Sequence, residues 1–296
     1  YGSKQLRESL YVDDYSDAAA IEKFLIRRFI EARTILRVGS FPLVKVKTNS
    51  KQLFEKLTEA EKAKDAEKIF EFSHENEVVH KLLGVGLTQN LNYFMIDLKD
   101  INLKIEAIQK DSIITKRRFS SIAASLFAPD GVLQPFTIRA KHLLQAFWAL
   151  ELSWDTPLPE GELYTKIRTY IEEIPVLRSF RVPRNIVIAN EKERRLVLFS
   201  DAAESGVMAV AYLVSIQNDD KAISNFILAR SRIRPLRARL SIPRMELMGA
   251  LLQTELNWFL ADQLNLDPMR SHLFCDSTIA LAWISKQTIE HFGEFV

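Results

Sequence analysis

The second half of the sequence places three acidic residues where carboxylates could meet. Asp201 follows a predicted strand over residues 195–200, Glu246 lies in the first turn of a predicted helix, and Asp276 closes a short predicted strand over 273–275. The ends of two strands and the start of a helix can lie together in an α/β sheet. Three converging carboxylates can bind two Mg²⁺ ions, which activate water and stabilise a leaving 3′ oxygen. Taken singly, each acid is more typical of a cap or a surface position, and only their order favours a site.

Two adjacent acids near the start of the chain form a second candidate site. Asp13 and Asp14 directly follow Tyr11 and Val12, and β-forming residues before two acids predict a hairpin. Neighbouring carboxylates repel each other unless a cation lies between them. Mg²⁺ held in such a hairpin could bind a triphosphate, whereas the bare pair alone is more typical of a solvated turn.

A cluster of arginines lies between the first and second of the three later acids. Six arginines fall within 15 residues that contain neither Asp nor Glu, although the net charge of the whole chain is only +2. Such a cluster indicates phosphate binding, and a solvated strand edge is the alternative. The candidate nucleic-acid-binding residues are Arg230, Arg232, Arg234, Arg237, Arg239 and Arg244.

The elements of the first half are predicted from hydrophobic periodicity and turn residues. Asp17 is expected to cap the first long helix, and Gly39 is expected to end it. The predicted elements are a helix over 17–38, a strand over 41–47, a charged helix over 51–72, a hairpin over 85–98 and mainly helical structure over 115–180.

The second half is predicted to follow the order β-β-β-α-β-α, which is an α/β plan with a mixed sheet. Ser277 or Thr278 can cap the last helix, and Cys275 is interpreted as an inert thiol in a buried strand. A domain boundary is placed near residues 181–184. The predicted elements are strands over 195–200, 208–216, 222–230 and 273–275, with helices over 243–264 and 278–284.

Composition bounds the class of protein. The 296 residues are 47% hydrophobic and 26% charged, which is typical of a soluble globular chain with a sizeable core. One cysteine excludes a disulfide framework and a zinc finger, and it favours a reducing compartment. No apolar run is long enough for a membrane helix. We therefore expect an intracellular protein of the cytoplasm, the nucleus or both, with no membrane partner.

Several strings resemble one family. Tyr11-Val12-Asp13-Asp14 resembles the catalytic hairpin motif of reverse transcriptases. The string Ser-Ile-Pro-Arg-Met-Glu-Leu at 241–247 and the string that begins Asp-Ser-Thr at 276 are similar to segments of Bel/Pao-type retrotransposon polyproteins. Further similar strings keep the family's order over nearly the whole chain, at residues 39–50, 115–123, 129–135, 141–148, 152–155 and 229–235.

This resemblance implies a fold and a division into segments. The α/β fold would combine an α+β palm and thumb remnant with a ribonuclease H-like domain that has a mixed sheet. Residues 1–110 would be the C-terminal part of a reverse transcriptase palm, 111–182 a helical thumb or connection, and 183–296 a ribonuclease H-like domain truncated at its C-terminus. By resemblance, Lys45 is the palm lysine near the incoming phosphates and a candidate proton donor to pyrophosphate.

The same resemblance implies RNA-directed DNA synthesis and cleavage of RNA in RNA–DNA hybrids. The catalytic and metal-binding residues would be Asp13, Asp14, Asp201, Glu246 and Asp276, with Mg²⁺ as the cofactor. The partners would be RNA–DNA hybrid, an RNA template, a DNA primer and the rest of the polyprotein. We expect this chain to lack part of each site, because a further polymerase acid would precede Tyr1 and a fourth ribonuclease H acid would follow Val296.

Two other functions stay open. The first is a catalytically inactive or domesticated remnant that only binds nucleic acid through its arginines. The second is an aspartic peptidase, which is the activity that the family's label suggests. That activity needs Asp-Ser/Thr-Gly, yet Asp276-Ser277-Thr278 lacks the glycine and Asp130-Gly131 lacks the hydroxyl residue.

Overall fold

A computed structural model divides the chain into two compact units. The first unit comprises Tyr1–Met95 with Ser179–Ala189, and the second comprises Ile96–Arg178 with Asn190–Val296. The residues that the structure describes are 2–19, 21–64, 66–70, 80–82, 85–126, 128–186, 191–236 and 240–286.

The first unit is built from short elements. Its two sheets are antiparallel: β1 pairs with β2, and four further strands have the order β3-β4-β5-β6. The helices are α1 (Gly2–Ser9), α2 (Glu22–Val38) and α3 (Lys51–Glu55). The strands are β1 (Leu10–Tyr11), β2 (Asp14–Tyr15), β3 (His80–Leu82), β4 (Val85–Leu87), β5 (Tyr93–Met95) and β6 (Arg181–Pro183).

Helix α2 begins later than the sequence predicts. Asp17 does not cap it, because its carboxylate accepts hydrogen bonds from Arg28 at 2.8 Å and from the Tyr15 hydroxyl at 3.1 Å. The helix starts at Glu22 instead and ends before Gly39, as predicted. Asp17 therefore ties α2 to the β1–β2 hairpin by its side chain.

Two predicted elements of the first unit are wrong. Residues 41–47 form no strand beyond one bridge, in which the Val46 N–H donates to the Glu61 carbonyl at 2.7 Å. The helix predicted over 51–72 stops after Glu55. Glu61 Oε2 accepts from the Thr58 N–H at 2.8 Å, and such local side-chain bonds compete with helix.

The hairpin predicted over 85–98 is confirmed by β4 and β5, which pair Gly86 with Met95. Strand β6 then pairs with β5, aligning Tyr93 with Pro183. The segment where the sequence suggests a domain boundary therefore completes the sheet of the first unit.

The second unit combines a helical layer with a long-stranded sheet. Strands β7, β8 and β9 are antiparallel, β10 is parallel to β7, and the order is β10-β7-β8-β9. The predicted α/β fold with a mixed sheet is confirmed. The helices are α4 (Lys99–Asp111), α5 (Lys116–Ser125), α6 (Gln134–Ala149), α7 (Glu162–Glu173), α8 (Ile242–Leu264) and α9 (Thr278–Ser285). The strands are β7 (Glu191–Ala203), β8 (Gly206–Gln217), β9 (Ala222–Ile233) and β10 (His272–Cys275).

The helical layer has an aromatic core. Phe119 contacts Tyr170 edge-on with ring centroids 5.8 Å apart, and it stacks on Phe147 at 6.4 Å. All three rings are fully buried. Helix α4 joins this core through Ile101, Ile105 and Ile108. It is not among the elements predicted from the sequence.

Helix α8 packs on one face of the sheet. Alternate residues of β7 and β8 are buried there, including Leu196, Leu198, Ala209 and Ala211. Ser277 caps α9 by accepting from the Ala280 N–H, which confirms that prediction.

Strand β10 was expected to be buried, and that is wrong. Leu273 is 39% exposed and Phe274 51%, because β10 lies at the edge of the sheet and pairs with β7 alone among the described strands. None of the helices in the described ranges has the length and apolar composition needed to cross a bilayer.

Candidate functional site

The end of β10 and the start of α8 bring three ligand-type side chains together. One carboxylate oxygen each of Glu246 and Asp276 and the Sγ of Cys275 lie within 4.8 Å of one another. Across the parts of the chain that the structure describes, these residues form the one group of three such donors. Of the acids predicted from the sequence, Glu246 and Asp276 thus share a site.

Strand register brings Asp201 to the same end of the sheet. Cys275 aligns with Ser200 in the parallel β10–β7 pair, so Asp276 and Asp201 follow neighbouring strand positions. Helix α8 crosses β7 closely here, since a Cβ on Gly249 would lie 3.6 Å from the Asp201 carbonyl oxygen. The Asp201 carboxylate itself accepts from the Ala202 N–H at 2.8 Å.

Glu246 is the buried member of this acidic site. The residue is 8% exposed, and its Oε2 has no hydrogen-bond partner among the described residues. Burial raises the pKa of Glu246, the negative charges of Asp201 and Asp276 raise it further, and the Ala202 N–H partly opposes them. A buried carboxylate facing two other acids is costly, and a cation among them would offset that cost.

A glutamine that sequence reasoning missed connects the three elements. Gln253 is buried on α8, where it accepts from Ser200 Oγ of β7 at 3.3 Å and donates to the Phe274 carbonyl of β10 at 3.0 Å. Its position, seven residues after Glu246, places both residues on one face of α8. A glutamine at that spacing, on a face of α8 whose buried residues are mostly apolar, was the available signal in the sequence.

The predicted arginine cluster is distributed over several elements. Arg230 of β9 lies over the Phe259 ring of α8, with its guanidinium carbon 5.2 Å from the centroid. Arg232 pairs with Glu255 at 2.7 Å. Both arginines lie on β9, which is at the opposite edge of the sheet from β10, the strand that ends next to Asp276.

The other arginines are placed differently. Arg244 is exposed at the start of α8, two residues before Glu246. Arg234 is half-buried, and its carbonyl accepts from Gln145 of α6 at 2.7 Å. Arg237 and Arg239 lie outside the described residues.

In the first unit, the predicted acidic hairpin is confirmed as a backbone structure. Tyr11 of β1 pairs with Asp14 of β2, so Val12 and Asp13 form the two-residue tip and Asp14 begins the returning strand. Val12 has a φ of 55°, a strained conformation for a β-branched residue. Both acids are exposed.

An open cavity of about 1570 Å³ lies within the first unit. Asp13, Asp14 and Lys45 all line it. Lys45 is in the left-handed region, with a φ of 57°. The cavity therefore brings the three sequence-predicted residues of this unit to one concave surface that also carries basic groups, including Arg28 and Arg184.

Comparison with known families gives one match. Residues 115–277, just over half of the chain, match the family described as Pao retrotransposon-like RNaseH-like domain. The matched range includes Asp201, Glu246 and Asp276. No curated protein matches the chain.

Comparison with solved structures gives a distant likeness. The structure titled "Structure of the foamy viral protease-reverse transcriptase dRH in complex with ds DNA" aligns with a TM-score of 0.37 and 12% sequence identity. The alignment covers 69% of this chain and 32% of the viral chain, so this chain spans about a third of that protein's length.

Proposed function

Since this chain belongs to the Pao retrotransposon-like RNaseH-like domain family, we propose that its second unit hydrolyses the RNA strand of RNA–DNA hybrids. The observation that carries the proposal is the buried Glu246 carboxylate, which has an unpartnered oxygen and faces Asp276. The family match supports a ribonuclease H-like domain of a retrotransposon Pol polyprotein, and the acidic site supports the hydrolytic chemistry.

The donor set fits a hard divalent cation such as Mg²⁺, which prefers carboxylate oxygens. Asp201, Glu246 and Asp276 would hold it, because burial of Glu246 beside two other negative charges favours a bound cation. When bound, Mg²⁺ supplies Lewis-acid activation of water and stabilises the departing 3′ oxygen.

The side chains of the unit have two tasks in this proposal. Gln253 positions Glu246 relative to β7 and β10 through its two hydrogen bonds. Arg244, exposed at the start of α8, contacts the phosphate backbone next to the scissile bond. No protein nucleophile is needed, because water is the attacking group.

Hybrid cleavage by the intact chain in Mg²⁺ tests this function. We expect Asp276→Asn to abolish cleavage, whereas the control Asp262→Asn, an exposed acid near the far end of α8, should leave the rate unchanged. We expect the unaltered chain to cleave the hybrid slowly but measurably. Hybrid binding with no measurable cleavage would contradict the proposal and favour a nucleic-acid-binding remnant.

For the first unit, we propose part of a polymerase site that binds the triphosphate of an incoming nucleotide. Asp13, Asp14 and Lys45 line one cavity, which offers carboxylates for Mg²⁺ and a cation for the phosphates. An RNA template and a DNA primer would be its further partners, together with the rest of the polyprotein. Residues 1–110 would then be palm, 111–182 thumb or connection, and 183–296 the ribonuclease H-like domain.

Binding of a fluorescent deoxynucleoside triphosphate in Mg²⁺ tests the first unit. Lys45→Gln and Asp14→Asn should each weaken binding about tenfold, whereas the exposed Lys56→Gln, outside the cavity, should not. Equal affinity in all variants would contradict the proposed phosphate site.

We also propose that the protein acts inside the cell, in the cytoplasm or nucleus. Its one cysteine, Cys275, is a free thiol, and free thiols are typical of reducing compartments. Fractionation of cells that express the native element would test this location; recovery of the protein outside the cell would contradict it.

A further inference from the structure

We infer that Cys275 adds a thiol ligand to the acidic site, so that Glu246, Cys275 and Asp276 form a binding site for a thiophilic divalent cation such as Zn²⁺. This inference deepens the proposed function, on which it rests for the role of the acidic site. Its structural basis is independent of any nucleic acid. Binding of Zn²⁺ there would exclude Mg²⁺ and stop hybrid cleavage.

Strand register places the thiol of Cys275 beside the two acids. Cys275 aligns with Ser200, whose hydroxyl donates to Gln253 of α8, so the side chain of Cys275 lies on the α8 side of the sheet. Glu246 lies on that helix, and Asp276 directly follows Cys275 where the strand ends. The Sγ and the two carboxylates therefore meet within 4.8 Å.

Glu246 has a buried carboxylate oxygen without a partner among the described residues. The residue is more than nine-tenths buried, yet Oε2 has no hydrogen-bond partner within the described ranges. A buried oxygen without a partner costs free energy, and a nearby ligand would remove that cost. This oxygen belongs to the same carboxylate that lies beside Cys275 and Asp276.

One sulfur and two carboxylate donors suit Zn²⁺ better than Mg²⁺. Zn²⁺ binds thiolate sulfur at about 2.3 Å and carboxylate oxygen at about 2.0–2.2 Å, usually in a tetrahedron. Donors in such a tetrahedron lie about 3.5 Å apart, so a side-chain adjustment of about 1 Å would close the observed group. Mg²⁺ takes oxygen ligands and gains nothing from sulfur, so Cys275 favours the softer ion.

The binding step conserves electrons and atoms. The thiol S–H bond breaks, its proton passes to water, and the sulfur lone pair forms the bond to Zn²⁺. No oxidant or reductant takes part. Water would complete the fourth position, as in zinc sites with three protein ligands.

Co²⁺, a spectroscopic substitute for Zn²⁺, provides the main test on the intact chain. A thiolate-to-cobalt charge-transfer band should appear, and Cys275 is the only sulfur that can produce it as a thiolate, because the chain has one cysteine. Zn²⁺ should remove the band by competition. In Cys275→Ser the band should be absent and the Zn²⁺ affinity should fall at least tenfold, while Mg²⁺ affinity should be unchanged.

A second measurement does not depend on whether Cys275→Ser folds. In the unaltered chain, Zn²⁺ should slow the reaction of Cys275 with a thiol reagent at least tenfold, and Glu246→Gln should reduce that protection. Any of three results would overturn the inference. They are absence of the cobalt band, equal Zn²⁺ affinity in the unaltered chain and Cys275→Ser, and no protection of the Cys275 thiol by Zn²⁺. These readouts need no hybrid, so failure of cleavage with the cobalt band present would overturn only the proposed ribonuclease function.

Discussion

The acids of the second unit lie on a much larger scaffold than those of the first. Strands β7 and β8 have 13 and 12 residues and place Asp201 under a 23-residue helix, whereas β1 and β2 have two residues each. Glu246 is 8% exposed, while Val12 at the hairpin tip is 84% exposed. The long elements bury one carboxylate against two others, and the short hairpin leaves both of its acids in solvent.

This contrast distinguishes two ways of preparing a site for a cation. In the second unit, the fold itself confines negative charge, so the electrostatic cost is present before any ion binds. In the first unit, the two acids are exposed, so water screens their mutual repulsion and its cost in free energy is small. A bound ligand must therefore fix the positions of these side chains. We therefore expect the second unit to have a lower unfolding free energy without a bound cation than with one.

The largest expected effect is on hybrid cleavage. Asp201→Asn, Glu246→Gln and Asp276→Asn should each reduce the rate at least about 10²-fold, because metal-assisted stabilisation is worth several kcal/mol. Asp13→Asn should leave this rate within twofold. A gel-based cleavage assay in Mg²⁺ measures both. Equal losses for Asp13 and Asp276 variants would erase the proposed separation of the two sites.

A second prediction concerns the second unit as one cooperative body. Gly131 has a φ of 71°, and a Cβ there would lie 1.9 Å from the Ala229 carbonyl oxygen of β9. Gly131→Ala should therefore cost at least about 2 kcal/mol of unfolding free energy, or about 4–8 °C. Gly249→Ala is the matched control: its Cβ would make ordinary contacts, and removing a helical glycine should raise stability by up to about 1 kcal/mol. Unfolding measured by calorimetry should show no change in the first unit.

A third prediction tests the electrostatic cost at Glu246. In metal-free buffer at neutral pH, Glu246→Gln should raise the unfolding free energy by about 0.5–2 kcal/mol, since it removes a buried charge that faces two acids. Asp14→Asn in the exposed hairpin should change it by less than about 0.5 kcal/mol. Chemical denaturation with a chelator present measures both values.

The rise in unfolding free energy caused by Glu246→Gln should grow as the pH increases. The pKa of Glu246 is raised in the folded state, so the fold binds its proton more tightly than the unfolded chain does. The destabilisation develops as the pH rises from the ordinary glutamate value of 4.5 through the raised folded value. The difference in unfolding free energy between Glu246→Gln and the unaltered chain should therefore vanish well below pH 4.5. A gain that persists in acid would show that packing rather than charge is responsible.

The smallest expected effect is on the salt dependence of hybrid binding. Arg230→Gln should make the slope of log affinity against log salt shallower by about 0.9, the value for one phosphate contact on duplex DNA. Arg232→Gln should change it less, because Glu255 already neutralises that guanidinium in the free protein. Fluorescence anisotropy over a salt series measures the slopes. Identical slopes in both variants would argue against a phosphate contact at Arg230.

The sequence predicts the long strands and helices α8 and α9 of the second unit well, because their local signals agree with their packing. Pro243 marks the start of α8, Ser277 caps α9, and a continuous apolar run from Gly206 to Val214 predicts β8. The placement of Glu246 beside Asp276 follows from those elements. The clustering with Cys275 could not be predicted, because it depends on the register between β10 and β7.

In the first unit, tertiary contacts override local signals. Asp17 has a capping side chain but uses it for Arg28, and the charged segment after Glu55 is held by Thr58 and Glu61. Asp17 and Arg28 are 11 residues apart, and no sequence pattern predicts an ion pair at that spacing. Helix α4 of the second unit is a different case, since its isoleucines at 101, 105 and 108 have a helical spacing that the sequence itself shows.

The close approach of Gly131 to Ala229 also sets an order of events during synthesis. The Ala229 N–H donates to the Asp130 carbonyl at 2.9 Å, and Lys141 reaches Ser231 across 90 positions of sequence. The helices between 99 and 178 leave the ribosome well before β9 does, so they must wait for that strand before their contacts are complete. A proteolytic cut between the helices and the sheet after folding would leave two pieces that remain associated. The same cut made during synthesis would leave a helical piece without its partner strand.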